Sequence, residues 1–343
     1  MFWYIIMWLF VVISVVLRNN KHMSYVSFWA LFFFSLCRGD DVGVDTKGAM
    51  SAVAVRANMM FSLDSSMSLE FISNLIPYCA FNGWVSDRAV ITFYTIAMFL
   101  ALFVLQKKMK LNMAILMLVF FLAGHYIYSF NIARQWTAIC VVSCALPFIF
   151  EKNKLKSLYF FPIILLATGI HASSPIFLPL YLFRYVDFSL HRISWVWYIT
   201  AFLGMTEIFT LSIILDKFSF ISYAETYSDN IREGSQMNFF GKLGLSISSF
   251  LSIYALYKLG DGNKFKLIFL SCICLGFLSI GLESVIARAL QGFSFLASVC
   301  LCLYFSRYNK KNYLLIIYVI YASFMFFRYG IRDPYDFRFH DLI

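Results

Sequence analysis

Charge is what this 343-residue chain has least of: Lys, Arg, Asp and Glu make up 13% of it, against about a quarter in a soluble domain. With 61% hydrophobic residues, a water-soluble surface could not hide so much Phe, Leu and Ile, so the surplus must face lipid. Nucleotide signatures are also missing. There is no GxxxxGK followed by Ser or Thr, and no GxGxxG after a strand, which argues against an ATP-driven transporter or a cytosolic sugar-nucleotide enzyme. No internal repeat is visible, which weakens an inverted-repeat transporter. The eight cysteines lack metal-ligand spacing and mostly sit in apolar runs, so they read as packed or lipid-facing thiols; no metal or other cofactor is implied. Met1–Leu17 has no basic residues ahead of it and no small-residue cleavage site, so it reads as a retained first span.

What the chain has in abundance is long apolar runs. They fall near 1–17, 23–37, 87–105, 111–129, 131–150, 155–170, 172–184, 193–215, 241–259, 265–282, 285–305 and 312–328. The implied fold is all-α: one polytopic integral membrane bundle over 1–343, about twelve transmembrane helices with long extracytoplasmic loops. The stretch 67–84 is apolar but interrupted by Glu70, Asn74, Pro77 and Asn82, and reads as re-entrant or interfacial. The stretch 155–184 reads as two short spans broken around Gly169-Ile170-His171 and Ser173-Ser174-Pro175.

Loop charge orients the bundle. Of the 28 Lys and Arg, sixteen fall in alternate short loops: Arg18 and Lys21, Lys107 to Lys110, Lys152 to Lys156, Arg184 and Arg192, Lys258 to Lys266, and Arg307 to Lys311. Only three of the 18 acids (Glu151, Asp187, Asp261) join them. The positive-inside rule puts this set in the cytoplasm, and it accounts for the net charge of +10 without nucleic acid. The loops of mixed charge, 38–86 with its re-entrant or interfacial segment, 216–240, and the 329–343 tail, then lie outside.

Chemistry-bearing residues gather on that outer side. Arg38-Gly39-Asp40-Asp41-Val42-Gly43-Val44-Asp45-Thr46 follows the second run. It is either a solvated polar loop or a cluster able to hold a cation, orient sugar hydroxyls or supply a base. Asn131-Ile132-Ala133-Arg134-Gln135 opens an apolar run, where an arginine is costly unless paired or wet; its donor fork matches phosphate oxygens. His171 stands beside Ser173 and Ser174 and is either a structural histidine or an acid, base or hydrogen-bond donor. Glu283 and Arg288 sit at a later helix mouth, about 140° apart on one helix, so they need not pair with each other. The tail carries Arg328, Arg332, Asp333-Pro334-Tyr335 and Arg338. Several arginines at outer helix mouths suit a phosphate or diphosphate at the interface.

These residues resemble a known family. Val42-Gly43-Val44-Asp45-Thr46 is similar to the G-x-D-T motif after the second span of EpsG-type polysaccharide polymerases, although Lys47-Gly48-Ala49 follows in place of the family's aromatic. Asn131 to Gln135 resembles their N-x-R-Q with one extra residue, and His171 with Ser173 their H-x-S. Arg288 resembles a late-span arginine, and Pro334-Tyr335 a C-terminal P-Y. The resemblance covers essentially the whole chain and includes Wzy-type O-antigen polymerases.

The resemblance implies a glycosyltransferase of the bacterial inner membrane, in lipopolysaccharide or other surface-polysaccharide biosynthesis. It would transfer a growing glycan from one undecaprenyl-diphosphate carrier to the sugar of another, on the periplasmic face. Arg134 and Arg288 are then candidates for stabilising the departing diphosphate, His171 for bonding it or taking the acceptor proton, and Asp45 or Glu283 for the alternative base. Arg38, Asn131, Gln135, Glu283 and Tyr335 are candidate substrate contacts, and a chain-length regulator is an expected partner. An O-antigen ligase or other lipid-carrier glycosyltransferase would share the arginines. A lipid-linked oligosaccharide flippase would instead need charges at mid-span.

Overall fold

A computed structural model describes residues 2–40, 42–43, 52–59, 69–185, 250–259, 263–281, 285–308 and 313–330. Asp45, Glu283 and Tyr335 lie outside the described residues, as do the 193–215 run, the 216–240 loop and the tail beyond Gly330. The described residues are mostly helical, with no strand among them. Two compact units result: Met1–Arg184 with Phe305–Ile343, and Tyr185–Tyr304.

The helices of the first unit fall on the apolar runs: Phe2–Val16, Val26–Leu36, Phe71–Phe81, Ala89–Met109, Met113–Leu122, His125–Asn131, Ala133–Ser143 and Phe160–Ile170, then a 3₁₀ stretch Ser174–Arg184 and the helix Tyr313–Met325. Their limits have local causes. Lys110 adopts a left-handed conformation after Ala89–Met109. The Asn112 side chain then accepts from the Ile115 N–H to start the next helix, the usual use of asparagine at an N-cap. Gly124, at φ +81°, opens a 61° bend between Met113–Leu122 and His125–Asn131, a backbone state that glycine enters without a Cβ penalty.

Two helices among the described residues, Ala89–Met109 and Leu290–Arg307, are long and apolar enough to cross a membrane, or three with the bent pair. All ten residues of Met113–Leu122 are buried, as expected of a helix apolar all round. Elsewhere the outward faces are apolar too. On Tyr313–Met325 the exposed residues are Tyr313, Ile316, Ile317, Ile320 and Phe324, a helical stripe that would be polar in water. An apolar stripe facing outward is what a lipid-facing helix presents. The chain therefore has the make-up of a helical membrane protein.

Interhelical bonds come from small hydroxyl residues, as packing in lipid favours. Trp8 donates to Ser323 Oγ at 2.7 Å, Ser27 to Ser14 Oγ at 3.1 Å, and Thr137 to the Tyr94 carbonyl at 3.1 Å. The basic loops meet one another: Asn112 Nδ2 donates to the Arg18 carbonyl, its N–H to Ser306 Oγ, and Arg184 to the carbonyls of Ile149 and Lys152. Lys107 and Lys108 lie over the rings of Tyr25 and Phe148.

The second unit holds Phe250–Leu259, Asn263–Gly281 and most of Val285–Arg307. A Cβ on Gly276 would stand 3.0 Å from Ser294 Cα, so these two helices pack backbone against backbone. The Cys300 thiol reaches the Ser252 carbonyl at 3.7 Å. None of the eight cysteines is in a disulfide; six are buried in the packing.

Candidate functional site

The site is built around Glu70, the residue before the Phe71–Phe81 helix. Its side chain does not cap that helix. It turns into the protein, 5% exposed, and meets donors from three other segments. Arg134, in the first turn of Ala133–Ser143, places Nη1 2.7 Å from Oε2. Arg56, on the short helix Val53–Met59, brings Nη1 and Nη2 to the same oxygen at 3.4 Å each. The other oxygen, Oε1, accepts the Ala172 N–H at 3.0 Å. A buried carboxylate is tolerated only when paired and hydrogen-bonded in this way.

Local sequence explains how the pieces meet. Gly169, near the end of Phe160–Ile170, leaves room for Phe71 and Ile72; a Cβ there would lie 2.6 Å from the Phe71 ring. The Ser73 hydroxyl donates to the Ile170 carbonyl at 2.5 Å. The Phe160–Ile170 and Phe71–Phe81 helices are thus drawn together just before the chain leaves the former at His171, whose backbone is extended. That departure frees the Ala172 N–H for Glu70. Asn74, fully buried, accepts from Arg56 Nη1 at 3.0 Å.

Charge in this cluster does not balance. Two guanidinium groups face one carboxylate, leaving a net +1 before His171 is counted. The surplus is not evenly presented: the Arg134 side chain is 25% exposed and that of Arg56 only 7%. Arg56 is consumed by Glu70 and Asn74, whereas Arg134 spends Nη1 on Glu70 and keeps an accessible face. A partly exposed guanidinium fork held in place by a buried carboxylate suits a phosphate oxygen.

His171 completes the rim. Its Nδ1 receives the Ser173 N–H at 3.2 Å and lies 2.8 Å from the Ser173 hydroxyl. A nitrogen that accepts a backbone N–H carries no proton, so the neutral ring is protonated on Nε2 and offers a donor there. Burial lowers its pKa to about 4; Glu70 opposes that shift, and Arg134 and Arg56 reinforce it. The imidazole is therefore neutral near pH 7.

The other predicted residues divide. Arg38 is buried and turned elsewhere, donating to the Ser35 carbonyl at 3.0 Å and Thr95 Oγ1 at 3.4 Å and lying 4.7 Å from the centre of the Phe130 ring. Asn131 ends the His125–Asn131 helix half-buried, and Gln135 is buried beside Arg134 in sequence. Arg288 lies on Val285–Arg307. Gly43 takes φ +84° with its Cα against Phe130, where a Cβ would be 2.4 Å from the carbonyl oxygen. Gly43 therefore packs directly before the Asn131 to Gln135 segment. Sequence reasoning missed Arg56 and Arg88 and passed Glu70 over as an interruption. The usable signal was a lone charge inside an apolar stretch, Val53-Ala54-Val55-Arg56-Ala57 for one and 67–84 for the other, since such charges persist only when paired or functional.

The model of the EpsG family matches residues 21–337. The chain belongs to the EpsG family. Comparison with curated proteins and with solved structures gave no match. As an EpsG-family chain with apolar helices, it is a membrane protein of the polysaccharide-polymerase kind. The match takes in Arg56, Glu70, Arg134, His171 and Ser173 together.

Proposed function

We propose that this EpsG-family chain is a surface-polysaccharide polymerase, of the O-antigen type, acting on undecaprenyl-diphosphate-linked glycans at the periplasmic face of the bacterial inner membrane. The observation that carries the reading is the Arg134 guanidinium, partly exposed at a helix mouth and fixed by the buried Glu70. The twelve-span topology belongs to the same proposal. It is supported by the separate bonding of the basic loops at one set of helix ends, away from Glu70 and Arg134.

In the reaction the donor's bond from anomeric carbon to phosphate oxygen breaks, and an acceptor hydroxyl oxygen bonds to that carbon. The leaving group is the carrier diphosphate, and its growing negative charge needs donors that strengthen in the transition state. Arg134 and the Nε2–H of His171 supply them, with Arg288 as a candidate second arm. With Nδ1 held by Ser173, His171 is a donor to the diphosphate and not the base. The acceptor proton then goes to a carboxylate, Asp45 or Glu283. Asn131, Gln135 and Tyr335 remain candidate contacts for glycan or carrier, whereas Arg38 is buried against Thr95 and Phe130; a chain-length regulator is a candidate partner.

The test is glycan length in cells. Arg134→Ala, at unchanged protein level, should leave single repeats on the lipid anchor; long chains of normal length would sink the reading. A flippase would differ, since its deletion leaves no repeat on the anchor, and a ligase would leave chain length on the carrier intact.

A further inference from the structure

Glu70 and Arg56 are buried, yet they sit behind the guanidinium on which the proposed function rests. The Glu70 carboxylate fixes Arg134 through the 2.7 Å bond. With that bond alone the pair would be neutral, and an incoming anion would meet no net charge. Arg56 changes this balance. Both of its terminal nitrogens lie 3.4 Å from Glu70 Oε2, and Nη1 is also held by Asn74 at 3.0 Å. Its charge is directed wholly inward, and its side chain is 7% exposed.

We propose that Arg56 and Glu70 are positioning residues of a diphosphate receptor: Glu70 orients Arg134, and Arg56 neutralises Glu70 so that the Arg134 charge stays available to the ligand. This deepens the polymerase reading and rests on it. The ligand class follows from the donor set, a fixed guanidinium fork flanked by an imidazole N–H, which suits phosphate oxygens and offers nothing to a cation. The ligand is then a diphosphate ester or free diphosphate, and the site would be blind to neutral sugar alone. Burial matters to the argument, because an inward charge separated from water acts on its neighbours at low effective dielectric and is poorly screened by salt.

The experiment is binding of inorganic pyrophosphate to the purified full chain in detergent micelles, by calorimetry, with size-exclusion profiles recorded for every variant. Wild type should bind, and Arg134→Gln should not. Arg56→Gln should weaken binding about tenfold or more although it never reaches the ligand, as expected for one uncompensated buried charge. Arg56→Lys should recover most of the loss. The deciding variant is Arg56→Gln with Glu70→Gln: removing both charges restores the net +1, so affinity should return to within about threefold of wild type. A purely structural role predicts that the two substitutions add. If Arg56→Gln does not fold, the double variant is compared with wild type instead, and an affinity about tenfold or more below wild type overturns the proposal. A double variant no better than Arg56→Gln overturns the proposal while leaving the polymerase reading in place. Wild type that does not bind pyrophosphate overturns that reading and this proposal with it. Displacement of pyrophosphate by undecaprenyl diphosphate supports a lipid-linked ligand; pyrophosphate that stays bound overturns that part.

Discussion

Two arginine–carboxylate contacts in the same unit use the same chemistry to different ends. Arg88, just before the Ala89–Met109 helix, pairs with Asp40 and also donates to the carbonyls of Leu36 and Arg38. That pair is open to water, with Asp40 43% exposed. It ties the end of Val26–Leu36 to the start of Ala89–Met109. The Glu70 contact is nine-tenths or more buried on the carboxylate side and has two arginines for one acid. Wet pairs can fasten loops at little cost or gain. An unbalanced, dry cluster is costly to build, and its surplus charge finds use only with a ligand.

The sharpest test of that contrast is catalytic. Arg134→Ala should lower polymer formation by on the order of 100-fold or more, the scale of losing a donor to developing charge, whereas Arg88→Ala should leave chain length near normal in the same assay. Stability comes next. Glu70→Ala leaves the buried Arg56 guanidinium facing the partly exposed one of Arg134 and should cost about 3–5 kcal/mol, seen as a lower thermal unfolding midpoint in detergent. A midpoint unchanged from wild type would mean that the cluster opens to water. Gly43→Ala should cost about 1–3 kcal/mol, because φ +84° and the Phe130 carbonyl both oppose a Cβ; full stability would break the link between the loop and Phe130. Arg88→Ala should cost about 1 kcal/mol, at the upper edge for a part-exposed pair.

The smallest expected effect is a flat one. His171 is held at about 4 by burial, so activity should show no histidine inflection near its ordinary value of about 6.5. The sign for stability follows: between about pH 6.5 and pH 4 the unfolded chain binds a proton that the folded chain refuses, so stability falls as pH falls through that window. Above it His171 contributes no pH dependence. A midpoint for activity near 6.5 that vanishes in His171→Gln would mean that the ring is solvated and can act as the base.

Much of this molecule was legible in its sequence. The apolar runs located most of the described helices, though not Val53–Met59, and the polar break at Gly169 to Pro175 located the point where Phe160–Ile170 ends and a 3₁₀ stretch begins. Arg134 and His171 stood out because a donor at the mouth of an apolar run needs a reason. Glu70 also stood in plain view but was read as a flaw in a helix. Hydropathy treats every charge in an apolar run as an interruption, and nothing local says which interruption has partners.

What the sequence determined by itself was the medium: too little charge and too much Phe and Leu for water, with basic loops alternating along the chain. Those are properties of composition and order, and they need no contacts. Only the tertiary structure decided which charges compensate one another. Glu70 draws its partners from Arg56, Arg134 and Ala172, which lie on separate segments of the chain, and Arg38, equally promising in sequence, turns to Thr95 and Phe130 instead. A buried charge takes its meaning from the groups within a few ångströms, and helix packing alone sets that neighbourhood.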